Sequence, residues 1–339
     1  MSTFIERKVA LQAVNRLLVL TRISVWLVAS AVICLLSFAT YFVAFPENHD
    51  TNVEETGLTE FSWSAPDINT VPNSPEGDLI RYGEQLIRHT STYLGPKGSV
   101  KPISNGMNCN NCHLDGGTKL YGNNYAGVFA NYPKYRNRSG TIVDVKERVN
   151  ECIERSLNGQ RMREDEKELN AMAAYILWLG KDVPNKVTPI GNGLKQLPFL
   201  DRAADPVKGQ LVYETQCVVC HGKDGQGLMK ATGNEYEYPP LVGDHSYNQG
   251  AGLYRLSRFA SFVKYNMPFG VDYSNPILTD EEAWDVAAYV NSLPRPGKDL
   301  SNDWPDISKK PFDHPFGPFA DEYTEQQHKY GPFKQMLMN

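Results

Sequence analysis

Residues 109–113 read Cys-Asn-Asn-Cys-His, and residues 217–221 read Cys-Val-Val-Cys-His. Cys-x-x-Cys-His is the attachment pattern of c-type haem: the two thiols add to the vinyl groups, and the adjacent histidine binds iron from the proximal side. A single occurrence also suits a redox dithiol or half of a zinc site. Two occurrences, each with its histidine, point to two covalently bound haem c groups held by Cys109, Cys112, Cys217 and Cys220, with His113 and His221 as axial ligands. A zinc site assembled from both would join motifs 108 residues apart and leave the histidines unexplained.

The motifs belong to an internal repeat. GEQLI from Gly83 and GQLVY from Gly209 each precede a motif, and AAYILWLG from Ala173 and AAYVNSLP from Ala287 follow. The later pair reads as a helix packed through Ala, Tyr and Leu, and Thr279 to Glu282 has the capping-box pattern that opens one. Helix, haem-binding loop, ligand loop and terminal helix resemble the cytochrome c fold, here twice. The expected class is all-α, with two cytochrome c-type domains in tandem at 76–183 and 201–295 and a linker at 184–200. Residues 296–339, rich in Pro, Phe and Asp, are expected to wrap over the surface.

Each iron has a sixth position. In domain 2, Met267 of YNMPFG lies 46 residues after His221. Met followed by Pro resembles the Met loop of ordinary c-type cytochromes, and a thioether raises the iron potential. The alternative is a methionine that fills a core gap. In domain 1, Cys152 and Met162 compete. Met267 precedes Ala287 by 20 residues, whereas Cys152 precedes Ala173 by 21 and Met162 by only 11, which favours Cys152.

The local pattern agrees. Val145, Val149, Cys152 and Ser156 recur at helical spacing, and Asn158-Gly159 is a fitting C-terminal stop. Arg148 and Ser156 stand four residues either side of Cys152, so a guanidinium, a thiol and a hydroxyl share nearly one face. The alternative is an inert buried cysteine, with Arg148 and Arg155 paired to Glu151. A thiolate ligand lowers the iron potential and becomes a nucleophile when it leaves the metal. That pattern suits an enzyme with one catalytic haem and one relay haem.

From Ile23 to Phe45 runs a stretch of 23 residues without a charge. As a helix it would be ~35 Å long, enough to cross a hydrocarbon core of ~30 Å. A cleaved signal peptide has a shorter apolar core and a small-residue cleavage site, which is not found here. Arg7, Lys8, Arg16 and Arg22 precede the run, and Lys and Arg are absent from Pro46 to Ile80. The positive-inside rule therefore places residues 1–22 in the cytoplasm, 23–45 as a single-pass anchor in the bacterial inner membrane, and the remainder in the periplasm. Residues 46–75 read as a polar, acidic tether, and Cys34 as a small residue facing lipid. The net charge is -5 and no basic block suggests nucleic acid.

Several stretches are specific, above all RVNECIERS and the tail, which generic cytochromes lack: NCNNCHLDGGT from Asn108, YPKYRNRSG from Tyr132, ERVNECIERSLNG from Glu147, YPPLVGDHSYNQGAG from Tyr238, NMPFG from Asn266, and HPFGPFADEYTEQQHKYGPF from His314. With ELNAMAAYILWL and DVAAYVNSLPRP, they resemble the dihaem thiosulfate dehydrogenases over roughly residues 78–335. The resemblance implies two class I cytochrome c domains in the periplasm. It implies an enzyme that joins two thiosulfate ions through their sulfane sulfurs into tetrathionate and releases two electrons, some members favouring the reverse.

It further implies that His113 and Cys152 bind the iron of the catalytic haem, and His221 and Met267 that of the electron-transfer haem. Arg138, Arg148 and Ser156 match positions that hold the anionic substrate. Two dianions must meet, so fixed cations and donors have to offset their repulsion. The alternative is that Arg138 and Arg148 pair with haem propionates. Some members use a Lys just before the Met as a second ligand; Asn266 stands there, and Lys264 has the wrong spacing. Lys119 reads as solvated, His89, His245, His314 and His328 as structural or surface residues, and His49 as tether. The expected electron partner is a periplasmic or membrane-bound cytochrome c, or a quinone-linked one. The rival readings are a membrane-tethered dihaem carrier or oxidase subunit without substrate chemistry, and a dihaem peroxidase, which needs an open distal site.

Overall fold

The computed structural model describes residues 61–337, together with Ser24, Trp26, Ser30, Val32 and Cys34, which are helical and exposed. The rest of the expected cytoplasmic segment, the anchor and the tether as far as residue 60 lies outside the described residues. Among the described residues no helix is long and apolar enough to cross a membrane.

Two cores organise the chain beyond residue 60. One gathers buried side chains from Trp63 to Val183, the other from Leu197 to Phe333. The first is framed by α1 (Pro75–Arg88), α2 (Val145–Arg155) and α3 (Lys167–Leu179). The second is framed by α4 (Pro206–Gln216), α5 (Leu256–Asn266) and α6 (Asp280–Ser292). Local chemistry starts these helices. Ser74, Asp144 and Asp205 accept backbone N–H groups at the N-termini of α1, α2 and α4, and Pro75 and Pro206 occupy the first turn. Thr279 and Glu282 form the expected capping box on α6.

The repeat has a packing cause. Gly83 of α1 lies against Ala171 and Tyr175 of α3, and a Cβ there would stand 2.0 Å from the Ala171 carbonyl oxygen. Gly209 of α4 lies against Asp285 and Tyr289 of α6, with the corresponding distance 1.9 Å. Only glycine permits the first and last helices of each domain to cross so closely. The repeated Gly and the repeated Ala-Ala-Tyr are the two sides of one contact, made twice.

The structure is mostly helical, as expected, and each domain also carries a small antiparallel hairpin. β1 (Lys134–Arg136) pairs with β2 (Thr141–Val143), and β3 (Leu228–Met229) with β4 (Tyr236–Tyr238). Strands of two or three residues are too short for an alternating pattern to register in a sequence. Gly140, at φ +66°, closes the first turn.

Two segments read as connectors, the tether and the linker, are part of the packed structure, as is the C-terminal extension expected to wrap over the surface. Trp63, within the expected tether, is 7% exposed and donates from Nε1 to the Leu179 carbonyl at 3.1 Å. In the linker, the Gly191 and Gly193 carbonyls accept from Tyr121 and Asn123, and Leu197 enters the second core. The C-terminal extension is a strap. Phe312 and Phe333 pack around Phe199 and Trp284, and Asp313, 1% exposed, binds Arg255 and Ser257. Farther up, Asp303 grips Arg155 of α2 through two bonds of 2.7 Å.

Candidate haem and substrate site

Cys109, Cys112 and His113 stand on one wall of a cavity of about 300 Å³ in domain 1. The His113 Nδ1 faces the Asn123 carbonyl at 2.5 Å, which fixes the tautomer and leaves Nε2 for a metal. Burial pushes His113 down to about 4 and the Cys109 and Cys112 thiols up to about 12. A neutral imidazole and two thiols on one wall are the donor set a haem c requires. Tyr125 stacks on the imidazole at 4.5 Å and holds its plane.

The cavity also receives α2. Arg148, Cys152 and Ser156 all line it, as their four-residue spacing requires. The helix ends at Arg155 with Ser156 as its cap, and Asn158 turns at φ +43°. Met162, the competing candidate, is 3% exposed in the first core and does not line the cavity. Its backbone is clamped by the Asn150 side chain through bonds of 2.9 and 3.0 Å.

Arg138 does not line the cavity. Its guanidinium lies 2.7 Å from Glu151 Oε2, which also takes Arg148 Nη1 at 3.1 Å. Arg138 thus stands one ion pair behind the site. Burial alone would raise the Glu151 carboxyl, but Arg138 and Arg148 outweigh it and hold it below the usual carboxylate range. Arg148, with Cys152 as its strongest neighbour, is held above its ordinary value. Arg155 pairs with Asp303 instead of Glu151.

Sequence reasoning missed Lys134 and Arg136 of β1 and Thr188 and Asn192 of the linker, all of which line this cavity. Lys134 and Arg136 sit in the same stretch as Arg138, and an alternating pattern would have put all three on one strand face. Together with Arg148 they give the wall three cations and no carboxylate.

The second cavity, about 240 Å³, has a different lining. Cys217, Cys220, His221 and Met267 face it, and His221 Nδ1 meets the Pro239 carbonyl at 2.8 Å. Met267 directly caps α5. Glu237 is the one charged residue in a wall of Leu, Phe and Val. Cys112 borders both cavities, so they meet at the first haem-binding loop.

The remaining candidates point elsewhere. Lys264 bonds the Leu278 carbonyl at 2.6 Å and Asp280 at 2.8 Å, and Asn266 donates to the Tyr121 carbonyl of domain 1. Lys119, expected to be solvated, instead donates across the domains to the Val271 carbonyl at 2.9 Å. His89 pairs with Glu235, and His328 lies between Phe312 and Asp321. His314 is buried and His245 exposed, and neither lines a cavity.

Comparison with known proteins follows the same division. Residues 99–184 match the SoxA/TsdA cytochrome c domain, and residues 206–294 match cytochrome c. Two haem c-binding domains therefore stand in tandem. The chain is 38% identical over 243 residues to the thiosulfate dehydrogenase of Psychrobacter arcticus, covering 71% of each. It is 40% identical over 250 residues to that of Allochromatium vinosum, covering 71% of this chain and 89% of the other. The structure of a thiosulfate dehydrogenase (TsdBA) from Marichromatium purpuratum, in its "as isolated" form, superposes with a TM-score of 0.64 at 31% identity. That match covers 70% of this chain and 51% of the other, so this chain spans about half of that protein. With identity at this level over about 71% of its length, the chain belongs to the thiosulfate dehydrogenase family.

Proposed function

We propose that the protein oxidises thiosulfate, joining two ions into tetrathionate, and that the same groups serve tetrathionate reduction in reverse. The observation that carries this reading is the contrast in lining: a thiol beside Arg148 and Ser156 in a cationic wall, against a thioether in an apolar one. A plain electron carrier leaves that contrast unexplained.

Cys109, Cys112, His113 and Cys152 would hold the catalytic haem, covalently through the motif thiols, and Cys217, Cys220, His221 and Met267 the second. When bound, the two haems accept one electron each. The chain's own residues do the rest. Arg148 and Ser156 hold one thiosulfate by its oxygens, with Arg138 steadying Arg148 through Glu151. The Cys152 thiolate and the sulfane sulfur of that thiosulfate form an S–S bond as two electrons leave, giving Cys–S–S–SO3⁻. The sulfane sulfur of a second thiosulfate attacks the sulfane sulfur of this adduct. The bond to Cys152 breaks, tetrathionate departs, and the thiolate is restored. Residues 23–45 serve as the membrane anchor in this reading, with the haem domains in the periplasm and a cytochrome c or quinone-linked protein as partner.

The test is to add thiosulfate to the oxidised full-length protein, and tetrathionate to the reduced one, and follow the haem absorption bands. The expected result is a change that is lost in Cys152→Gly while both haems stay attached. No change with either ion leaves a protein that only carries electrons.

A further inference from the structure

Three guanidiniums near the first cavity already have carboxylates: Arg138 and Arg148 share Glu151, and Arg155 holds Asp303. Lys134 and Arg136 have no carboxylate partner among the described residues, although both line the cavity. Two residues apart on β1, they share one face of the hairpin. Tyr135 between them turns outward, 60% exposed, opposite Ile142, 73% exposed. The hairpin is held in place. The Arg138 carbonyl accepts from the Trp304 backbone N–H at 2.8 Å, and Pro305 covers Gly140. Burial, then Arg136 and Arg148, lower the Lys134 ammonium from its ordinary value, as expected of cations crowded without a counter-charge.

A site for two dianions needs cations in two places. Arg148 lies one helical turn from Cys152 and serves the first. We propose that Lys134 and Arg136 form an outer anion subsite that holds the second, attacking thiosulfate by its sulfonate group. This rests on the thiosulfate reading above. Because the sulfonate takes no part in bond making, cations there reduce the repulsion and leave the sulfane sulfur free to attack the Cys152 adduct.

The experiment compares full-length haem-loaded protein with Arg136→Gln, Lys134→Gln, the double variant and Arg136→Lys. The thiosulfate concentration for half-maximal turnover should rise ~10-fold for each charge removed, the loss typical of a charge-assisted hydrogen bond. Arg136→Lys should recover most of it. Formation of the Cys152 adduct with one equivalent of thiosulfate, read by intact mass, should be unchanged. Haem spectra and midpoint potentials should stay as in the parent, which also reports correct folding. Unchanged half-saturation in the double variant overturns the subsite. So does a shifted potential of the first haem with unchanged half-saturation, which makes these residues propionate anchors. A parent protein whose haems do not respond to thiosulfate overturns the activity itself, and is seen before any variant is made.

Discussion

The two haem-binding domains share a frame and differ in what the frame presents to its cavity. In both, a glycine lets the first helix cross the last, and the ligand candidate sits at the C-terminal end of the middle helix: Cys152 in the last turn of α2, Met267 as the cap of α5. Around Cys152 the wall holds Lys134, Arg136 and Arg148; around Met267 it holds Phe259, Phe262, Val263 and Val286. One architecture therefore carries a cavity with a cationic wall and a cavity with an apolar one, and the difference lies in a few side chains.

The comparison breaks first at the sulfur. Cys152→Gly should lower turnover at least ~10³-fold. Met267→Gly should lower the second haem's potential by removing the thioether, yet leave the Cys152 adduct able to form when an added oxidant takes the two electrons; redox titration and intact mass measure the two effects. Loss of the adduct in Met267→Gly would mean that both sulfurs belong to one catalytic unit.

The cations come next. Arg148→Gln should cost ~10²-fold in kcat/KM, the scale of one removed oxyanion donor. Arg138→Gln should cost less, ~10-fold, because Glu151 stands between it and the cavity. Equal losses would place Arg138 on the substrate itself.

The shared frame makes a symmetric prediction. Gly83→Ala and Gly209→Ala each force a methyl into a backbone carbonyl, and each should destabilise by about 3 kcal/mol in chemical denaturation. A large effect in one domain only would show that the crossings are not equivalent.

The smallest effect concerns the seam between the domains. Glu235, 7% exposed, accepts from Asn108 at 2.6 Å and pairs with Lys230 and His89. Burial would raise its carboxyl, but these partners outweigh burial and hold it below its ordinary value. A carboxylate lowered on folding adds stability that is complete above its unfolded value and is lost as pH falls through the lower folded one. Between about pH 5 and pH 3, stability should therefore fall more steeply in the parent than in Glu235→Gln, by about 1 kcal/mol. Parallel curves would remove Glu235 from the seam.

Much of this was legible along the chain. The haem-binding loops, the capping box at Thr279 and the four-residue spacing of Arg148, Cys152 and Ser156 depend on neighbours within a turn or two. The repeat added longer reach, since an offset counted from Ala-Ala-Tyr separated Cys152 from Met162. Arg138 shows where such reading stops: its residue type and motif were visible, but its partner, Glu151, was settled by how a hairpin packs on α2.

The sequence alone determined two haem-binding domains, their order, and the thiol that distinguishes the first, because motif spacing and helical period are properties of the local chain. Tertiary structure decided which cations face the cavity and which are already neutralised. It turned the linker into a wall and the C-terminal extension into a strap that grips α2 through Asp303. The first cavity draws its lining from residues between Ile87 and Gly193, and pairings across such distances are chosen by packing and burial, which no local pattern records.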